Sequence, residues 1–345
     1  MKTLAKSTLM AAALTLVAFS GAPAANVDGP DVFWKWSVWG NPRAFTAGAE
    51  KLAERVAEET GGKFKIQIFY GEQLAKSKEN LDGIKNNAFE GAFFCNFYHP
   101  GKNPAFMVFS LPFIPLGDWE VSAYVRNNLL LHPALQADLA QWNAIGYVST
   151  LLPQYEFMGT GKPPLTLADW KGLRVRAGGG IGEAMDVLGA TQQTVSASET
   201  YTLMQRGGVD AVSFPYTYAH VSYKIPELAT WYTSNMSPGS SECPMVFSKT
   251  AFEALPTQYQ DLIMSLKDEV TQAMIEKYVA ADAKNLPEFE KTMTKIVYDD
   301  ATLAQFAEVA GKPVWDKWVA DNKDKFDAQG VLDRMWELIK EAQAK

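Results

Sequence analysis

The sequence predicts an α/β protein folded in two lobes. Strand-like and helix-like stretches alternate along the chain, and the alternation restarts after Pro153,. Beyond its first residues the chain is about 320 residues long, more than one hydrophobic core usually organises. A single helical stretch from Pro256 to Met293 would be about 50 Å or more at 1.5 Å per residue. It would therefore run along both lobes and tie them together.

Residues 1–25 stand outside the fold as a secretory signal peptide. Lys2 and Lys6 make a basic start, and Leu9 to Phe19 is an apolar run too short to span a bilayer,. Ala22-Pro23-Ala24 supplies small residues, so cleavage is expected after Ala24 or Ala25. No cysteine stands at that site to take a lipid. The expected product is exported and soluble.

Asp31 to Val38 reads as a strand. Arg43 to Thr60 reads as a helix, with Phe45, Ala49, Leu52 and Val56 on one face and Gly61-Gly62 as its stop,. Phe64 to Phe69 alternates as a strand, Lys76 to Asn87 is helical, and Gly91 to Asn96 is a short apolar strand,. Ile145 to Thr150 adds another. The second run has strands at Tyr155 to Thr160, Leu173 to Ala177 and Val209 to Phe214, with helices Gly182 to Leu188 and Ser198 to Arg206 between them. Cys243 to Ser248 returns as a strand before the long helix. The tail, Ala301 to Ala344, is helical and amphipathic, with Phe306, Trp315, Trp318, Leu332 and Leu338 facing inward,.

Composition excludes several functions. A formal charge of −7 argues against a nucleic-acid partner,. The three histidines are far apart in sequence, and neither HExxH nor CxxC occurs, so no metal or other cofactor is expected,. There is no GxSxG elbow, and Gly178, Gly180 and Glu183 fail the GxGxxG pattern,. An enzyme is therefore not expected. Of the two cysteines, Cys95 and Cys243, the sequence allows a bridge or two buried thiols,.

One stretch needs an explanation. In "WKGLRVRAGGG", Trp170 to Gly180, two arginines sit in a strand pattern and three glycines follow. A buried guanidinium without a partner is costly. The residues alone leave Arg176 to pair either with a ligand or with an internal Asp or Glu.

The stretches "YGEQLAKSKENLDGIKNNAFEGAFF", "FSLPFI", "TLADWKGLRVRAGG", "ETYTLMQRGGVDAVSFP" and "FSKTAFEALPTQYQDLI" resemble the solute-binding proteins of tripartite ATP-independent periplasmic (TRAP) transporters, the DctP-like family. The resemblance covers nearly all of the mature chain. It implies the two-lobed periplasmic binding protein fold with a central ligand cleft. It also implies a periplasmic location, a small-molecule carboxylate ligand, delivery to TRAP membrane permease subunits, and a monomer. The lobes are expected at 26–152 plus 240–280 and at 153–239 plus 281–345. The family's ligand-pairing arginine matches Arg176, while Arg174 matches a position that faces away. The glycines would keep side chains from the strand mouth and open a helix start suited to an anion.

Two departures bear on the ligand. The second arginine of many relatives would fall near Tyr155 or Glu156, where none occurs, and Phe214 stands where an Asn is common. Both changes make the cleft less polar and favour a monocarboxylate with an apolar or aromatic body. Strand ends line crevices in open α/β sheets, which makes Trp39, Phe94, Phe97, Tyr155 and Phe214 candidate pocket aromatics, with Asn96 and Asn41 as polar candidates; plain core packing is the alternative for each aromatic. Competing readings are a receptor for a small 2-oxo or hydroxy acid, with Glu242 and Tyr155 as oxygen donors to an assisting metal, and an exported enzyme acting on an organic acid.

Overall fold

In the computed structural model, which describes residues 27–116 and 118–344, the strands form two separate sheets. The expected signal peptide lies outside the described residues. The first lobe opens with β1 (Val32–Ser37), β2 (Phe64–Phe69), β3 (Gly91–Phe93) and β4 (Ala144–Val148). The chain then crosses to build β5 (Tyr155–Gly159), β6 (Arg174–Arg176), β7 (Thr191–Gln193), β8 (Ala211–Pro215) and β9 (Trp231–Thr233). It returns to the first sheet with β10 (Met245–Ser248) and ends its strands in the second with β11 (Thr294–Ile296). The sheet orders are β2-β1-β3-β10-β4 and β11-β9-β5-β8-β6-β7. In the first sheet β10 runs antiparallel between β3 and β4, and in the second β8 lies parallel to β6 but antiparallel to β5.

Local sequence explains the elements that position the cleft. The helix Ala47–Glu59 buries Ala49, Leu52 and Val56 at helical spacing,. It stops where Gly61 and Gly62 adopt positive φ and the Gly62 N–H returns to the Ala57 carbonyl at 2.7 Å,. β3 is shorter than expected because Asn96–Tyr98 curls into a 3₁₀ turn. The Asn96 side chain holds that turn, accepting from the Phe97 N–H at 2.8 Å and donating to the Phe106 carbonyl at 2.8 Å.

The long helix is two. Thr257–Ser265 ends at Leu266, and Lys267–Thr292 then runs 26 residues, or about 39 Å. It packs against Ala47–Glu59 at one end and against Tyr218–Ser222 and β11 at the other, so it does span both lobes. Together with residues 149–154 and 234–244 it makes the crossings. Two helices absent from the sequence reading, Trp119–Leu130 and Pro133–Ala140, cover the first lobe. The C-terminal helix Ala328–Gln343 was expected with the second lobe but packs on Trp119–Leu130 of the first. Its buried Val331, Leu332, Met335, Leu338 and Ile339 define a face, and a periodic face does not name its partner. No helix among the described residues is long and apolar enough to cross a membrane.

Candidate ligand-binding site

β6 is only three residues long and ends on Arg176, which is 1 % exposed. Its ladder partner in β8 is Val212. Partners across a ladder share a face and alternate residues repeat it, so Phe214 lies on the face of Arg176. Its ring centre is 4.4 Å from the guanidinium carbon. The Arg176 Nη1 donates to the Ser213 carbonyl and Nη2 to the Val195 carbonyl, each at 3.0 Å. Its Nε is buried with no acceptor. No carboxylate among the described residues forms an ion pair with it. Arg174 is spent differently: its Nε and Nη2 both donate to Asp210 at the exposed start of the strand.

Arg176 is one end of a cavity between the lobes, with an empty volume of about 330 Å³ including its open mouth. The first lobe contributes Trp39, Arg43, Phe45, Phe97 and Tyr98, and the second Tyr155, Ala197, Phe214, Tyr218 and Tyr223. Cys95 and Cys243 also line it, joined as a disulfide that ties the end of β3 to the returning crossover. Tyr98 reaches across the cleft. Its hydroxyl accepts from the Ala197 N–H at 2.9 Å, at the start of helix Ala197–Gln205, and from Arg176 Nη2 at 3.4 Å. Burial raises the Tyr98 and Tyr155 hydroxyl pKa values, although Arg176 nearby pulls both down, so both stay protonated donors. The Tyr155 hydroxyl is shared with Ser241 Oγ at 2.7 Å.

The expected residues divide. Arg176, Phe214, Tyr155, Phe97 and Trp39 meet in this cavity. Asn96 does not line it, because its amide is consumed in holding the 3₁₀ turn. Phe94 faces the opposite way, edge-on to Phe106 and His99 in the first lobe's core. Asn41 lies on the outer rim, in a surface concavity shared with Glu72, Ser198, Arg43 and Tyr223. The glycines are not an anion cradle. A Cβ on Gly180 would come within 2.4 Å of the Ser110 carbonyl oxygen and 2.8 Å of Pro112, and one on Gly178 within 2.5 Å of the Phe97 ring. They let the second lobe press directly on the first. Sequence reasoning missed Arg43, Tyr98, Tyr218 and Tyr223. Arg43 follows the candidates Trp39 and Asn41 in the loop after β1, and that proximity was the available signal.

Glu242, the candidate oxygen donor for a metal, is fully buried outside the cavity. Its Oε2 pairs with Arg126 Nη1 at 2.6 Å and accepts from Ser149 Oγ at 2.9 Å. Among the described residues no cluster of three or more His, Cys, Asp or Glu could hold a metal ion. The metal-assisted reading thus has no acidic ligand in the cavity.

Two lobes on separate sheets, joined by crossovers and closing on a buried cation, define a two-lobed binding receptor. The chain belongs to the bacterial extracellular solute-binding proteins of family 7, whose family model matches residues 37–322. A Nostoc relative, a monocarboxylate 2-oxoacid-binding periplasmic protein, is 26 % identical over 89 % of each chain. A marine metagenome TRAP solute-binding protein described as specific for aromatic acid ligands, solved with 3-hydroxybenzoate, has the same fold. Its TM-score is 0.81 at 19 % identity, covering 91 % of this chain and 99 % of that one. A Rhodoferax ferrireducens TRAP protein with copurified benzoate gives a TM-score of 0.80 at 19 % identity, with 91 % and 99 % coverage. The family is one of solute-binding receptors rather than enzymes.

Proposed function

We propose that this protein is a periplasmic receptor that captures an organic acid with one carboxylate on Arg176 and an apolar or aromatic body, and hands it to a TRAP membrane permease. The observation that carries the reading is Arg176: a guanidinium 1 % exposed, with no anionic partner among the described residues and a buried Nε lacking an acceptor there. Taking a charge out of water unpaired costs several kcal/mol, and a ligand carboxylate is the counter-charge that removes this cost. Its two oxygens can take two parallel N–H bonds from the guanidinium. The Tyr98 hydroxyl accepts from two donors, which leaves its own proton for the ligand.

The ligand's body meets rings. Phe97, Phe214, Trp39 and the tyrosines supply apolar walls, and burial is worth about 25 cal/mol per Å². Offset or edge-on aromatic pairs add about 0.5–1.5 kcal/mol. Closing follows from the contacts: Tyr98 to Ala197 and Gly180 to Ser110 both bridge the lobes, and helix Lys267–Thr292 with the two crossover segments forms the hinge. The expected lobe division is retained for this hinge, with the C-terminal helix reassigned to the first lobe. The fold relatives solved with aromatic acids support the same ligand class.

A second reading has one observation in its favour. The Nostoc relative is named for 2-oxo acids, and a branched 2-oxo acid would also present a carboxylate to Arg176. Calorimetric competition between benzoate, a branched 2-oxo acid, succinate and galacturonate separates the readings. Benzoate binding tightest is the expected result. Tightest binding of the 2-oxo acid selects the second reading, and preference for succinate or galacturonate overturns both.

A further inference from the structure

We propose that Arg43 binds the ligand at the end remote from its carboxylate, so that this receptor selects aromatic acids carrying a second oxygen acceptor, such as a ring hydroxyl. The inference rests on Arg176 holding the carboxylate. It removes the ground for a cleft with a single cation, because that expectation did not place Arg43.

Arg43 belongs to both concavities: the inner cavity that ends on Arg176 and the outer one at the rim. It therefore stands between them, at the mouth. Its guanidinium is fixed in place. Nη1 donates to the Trp39 and Asn41 carbonyls, each at 2.8 Å. Its carbon lies 4.7 Å from the Phe45 ring centre and 5.8 Å from that of Tyr223, which comes from the opposite lobe,. Among the described residues it forms no ion pair, and Nε and Nη2 have no protein acceptor. The nearby acids are already engaged. Glu50 accepts from the Thr46 and Tyr70 hydroxyls, and Glu72 from the Ser77 N–H.

The cavity lining thus contains two guanidinium groups and no carboxylate. Burial raises the Tyr98, Tyr155 and Tyr218 hydroxyl pKa values in the wall; Arg176 opposes this at the first two and Arg43 at the third. A ligand with one carboxylate and a bare ring answers only the inner cation. A hydroxyl or carbonyl oxygen at the other end gains a charge-assisted hydrogen bond from a donor already oriented. The buried Tyr223 hydroxyl, which has no partner, is a second group that such an oxygen can satisfy.

The test is calorimetric titration of benzoate, 3-hydroxybenzoate, 4-hydroxybenzoate, isophthalate and terephthalate into the wild type, Arg43→Met and Arg43→Lys. The expected result is that at least one two-ended acid binds wild type about tenfold or more tighter than benzoate, the size of one hydrogen bond to a charged group. Arg43→Met should erase most of that margin, and Arg43→Lys should keep part of it. A phthalate as the favoured ligand supports the role of Arg43 and overturns the single-carboxylate part of the proposed function. Benzoate binding as tightly as every two-ended acid overturns the proposal alone. So does an equal loss for all five acids in both variants, which would mark Arg43 as a closure contact. No binding of any of them, benzoate included, overturns the aromatic-acid reading and this one with it, while binding of a branched 2-oxo acid would still leave Arg176 as the carboxylate's partner.

Discussion

Two arginines are equally buried in this molecule and are treated in opposite ways. Arg126, on helix Trp119–Leu130, is 1 % exposed and pairs with Glu242 at 2.6 Å. It also donates to the Ser241 carbonyl at 2.8 Å and to Ser122 Oγ at 3.0 Å. Arg176 has the same exposure and finds only two backbone carbonyls and a tyrosine oxygen at 3.4 Å. The first has its counter-charge built in, although Arg126 Nη2 and Glu242 Oε1 are left without a protein partner among the described residues, and it ties the returning crossover to the first lobe. The second is left open toward a cavity. A buried charge whose counter-charge is built in serves the fold. One whose counter-charge is missing marks the place where a ligand completes the protein.

The largest expected effect breaks the closed member of the comparison. Glu242→Gln leaves Arg126 a buried charge without a counter-charge, and losing one member of a buried ion pair costs about 3–5 kcal/mol. Urea unfolding should show a stability loss of that size as a lowered midpoint at unchanged slope, and an unchanged midpoint would mean the pair is not structural. Desolvation already raises the Glu242 pKa against the pull of Arg126, so the loss should be largest where the carboxylate is ionised.

A buried acid with no cation beside it sharpens the comparison. Glu156 is 2 % exposed on β5 and accepts from the Ser237 N–H at 2.9 Å, the Met236 N–H at 3.2 Å and the Thr233 hydroxyl. Burial pushes its carboxyl from 4.5 up to about 7 despite those donors. The folded state therefore holds this proton more tightly than the unfolded chain does. Its contribution is fully present below pH 4.5 and is lost as pH rises to about 7, a change of about 3 kcal/mol at 1.36 kcal/mol per unit. Buried His220 and His99, lowered to about 3 and about 4 by desolvation, act in the opposite direction. The readout is thus the difference between wild type and Glu156→Gln. That difference should narrow between pH 5 and pH 7 as wild type loses stability, and parallel curves would contradict the assignment.

The smallest expected effect is Arg174→Ala. Arg174 is paired with Asp210 at the exposed end of the strand that carries Arg176. Ligand affinity measured by titration should stay within error of wild type, and a marked loss would place the wrong arginine in the cleft.

The same charges decide what could be read from the sequence. Helix Ala47–Glu59 was legible because its buried positions are apolar and its glycine stop is local. Helix Trp119–Leu130 was not, because buried Ser122 and Arg126 interrupt its apolar period. β9 and β11, three residues each, are too short to show a period. The break at Leu266 contains neither glycine nor proline, so nothing in the pattern signals it. In the site, Arg176, Tyr155 and Phe214 were legible because strand alternation and the resemblance point to the same ends of the same strands. Phe94 and Asn96 were misplaced because β3 ends at Phe93, three residues before the expected Asn96. Arg43 and Tyr223 come together only when the lobes meet, a relation of tertiary packing that neither local segment contains. The cysteines were undecided for the same reason, being 148 residues apart in the chain.

The central claim is that Arg176 is left unpaired for a ligand carboxylate. Thermal and urea unfolding of wild type and Arg176→Met, each with and without saturating benzoate, tests it directly. Without ligand, Arg176→Met should cost less than about 2 kcal/mol, because the bonds lost to two carbonyls and the Tyr98 hydroxyl are offset by removing an unpaired buried charge,. With benzoate at 100 times its dissociation constant, wild type should gain about 2.7 kcal/mol and Arg176→Met should gain nothing measurable. A variant that loses several kcal/mol without ligand, yet is still stabilised by benzoate as wild type is, would show that Arg176 belongs to the fold and not to the ligand.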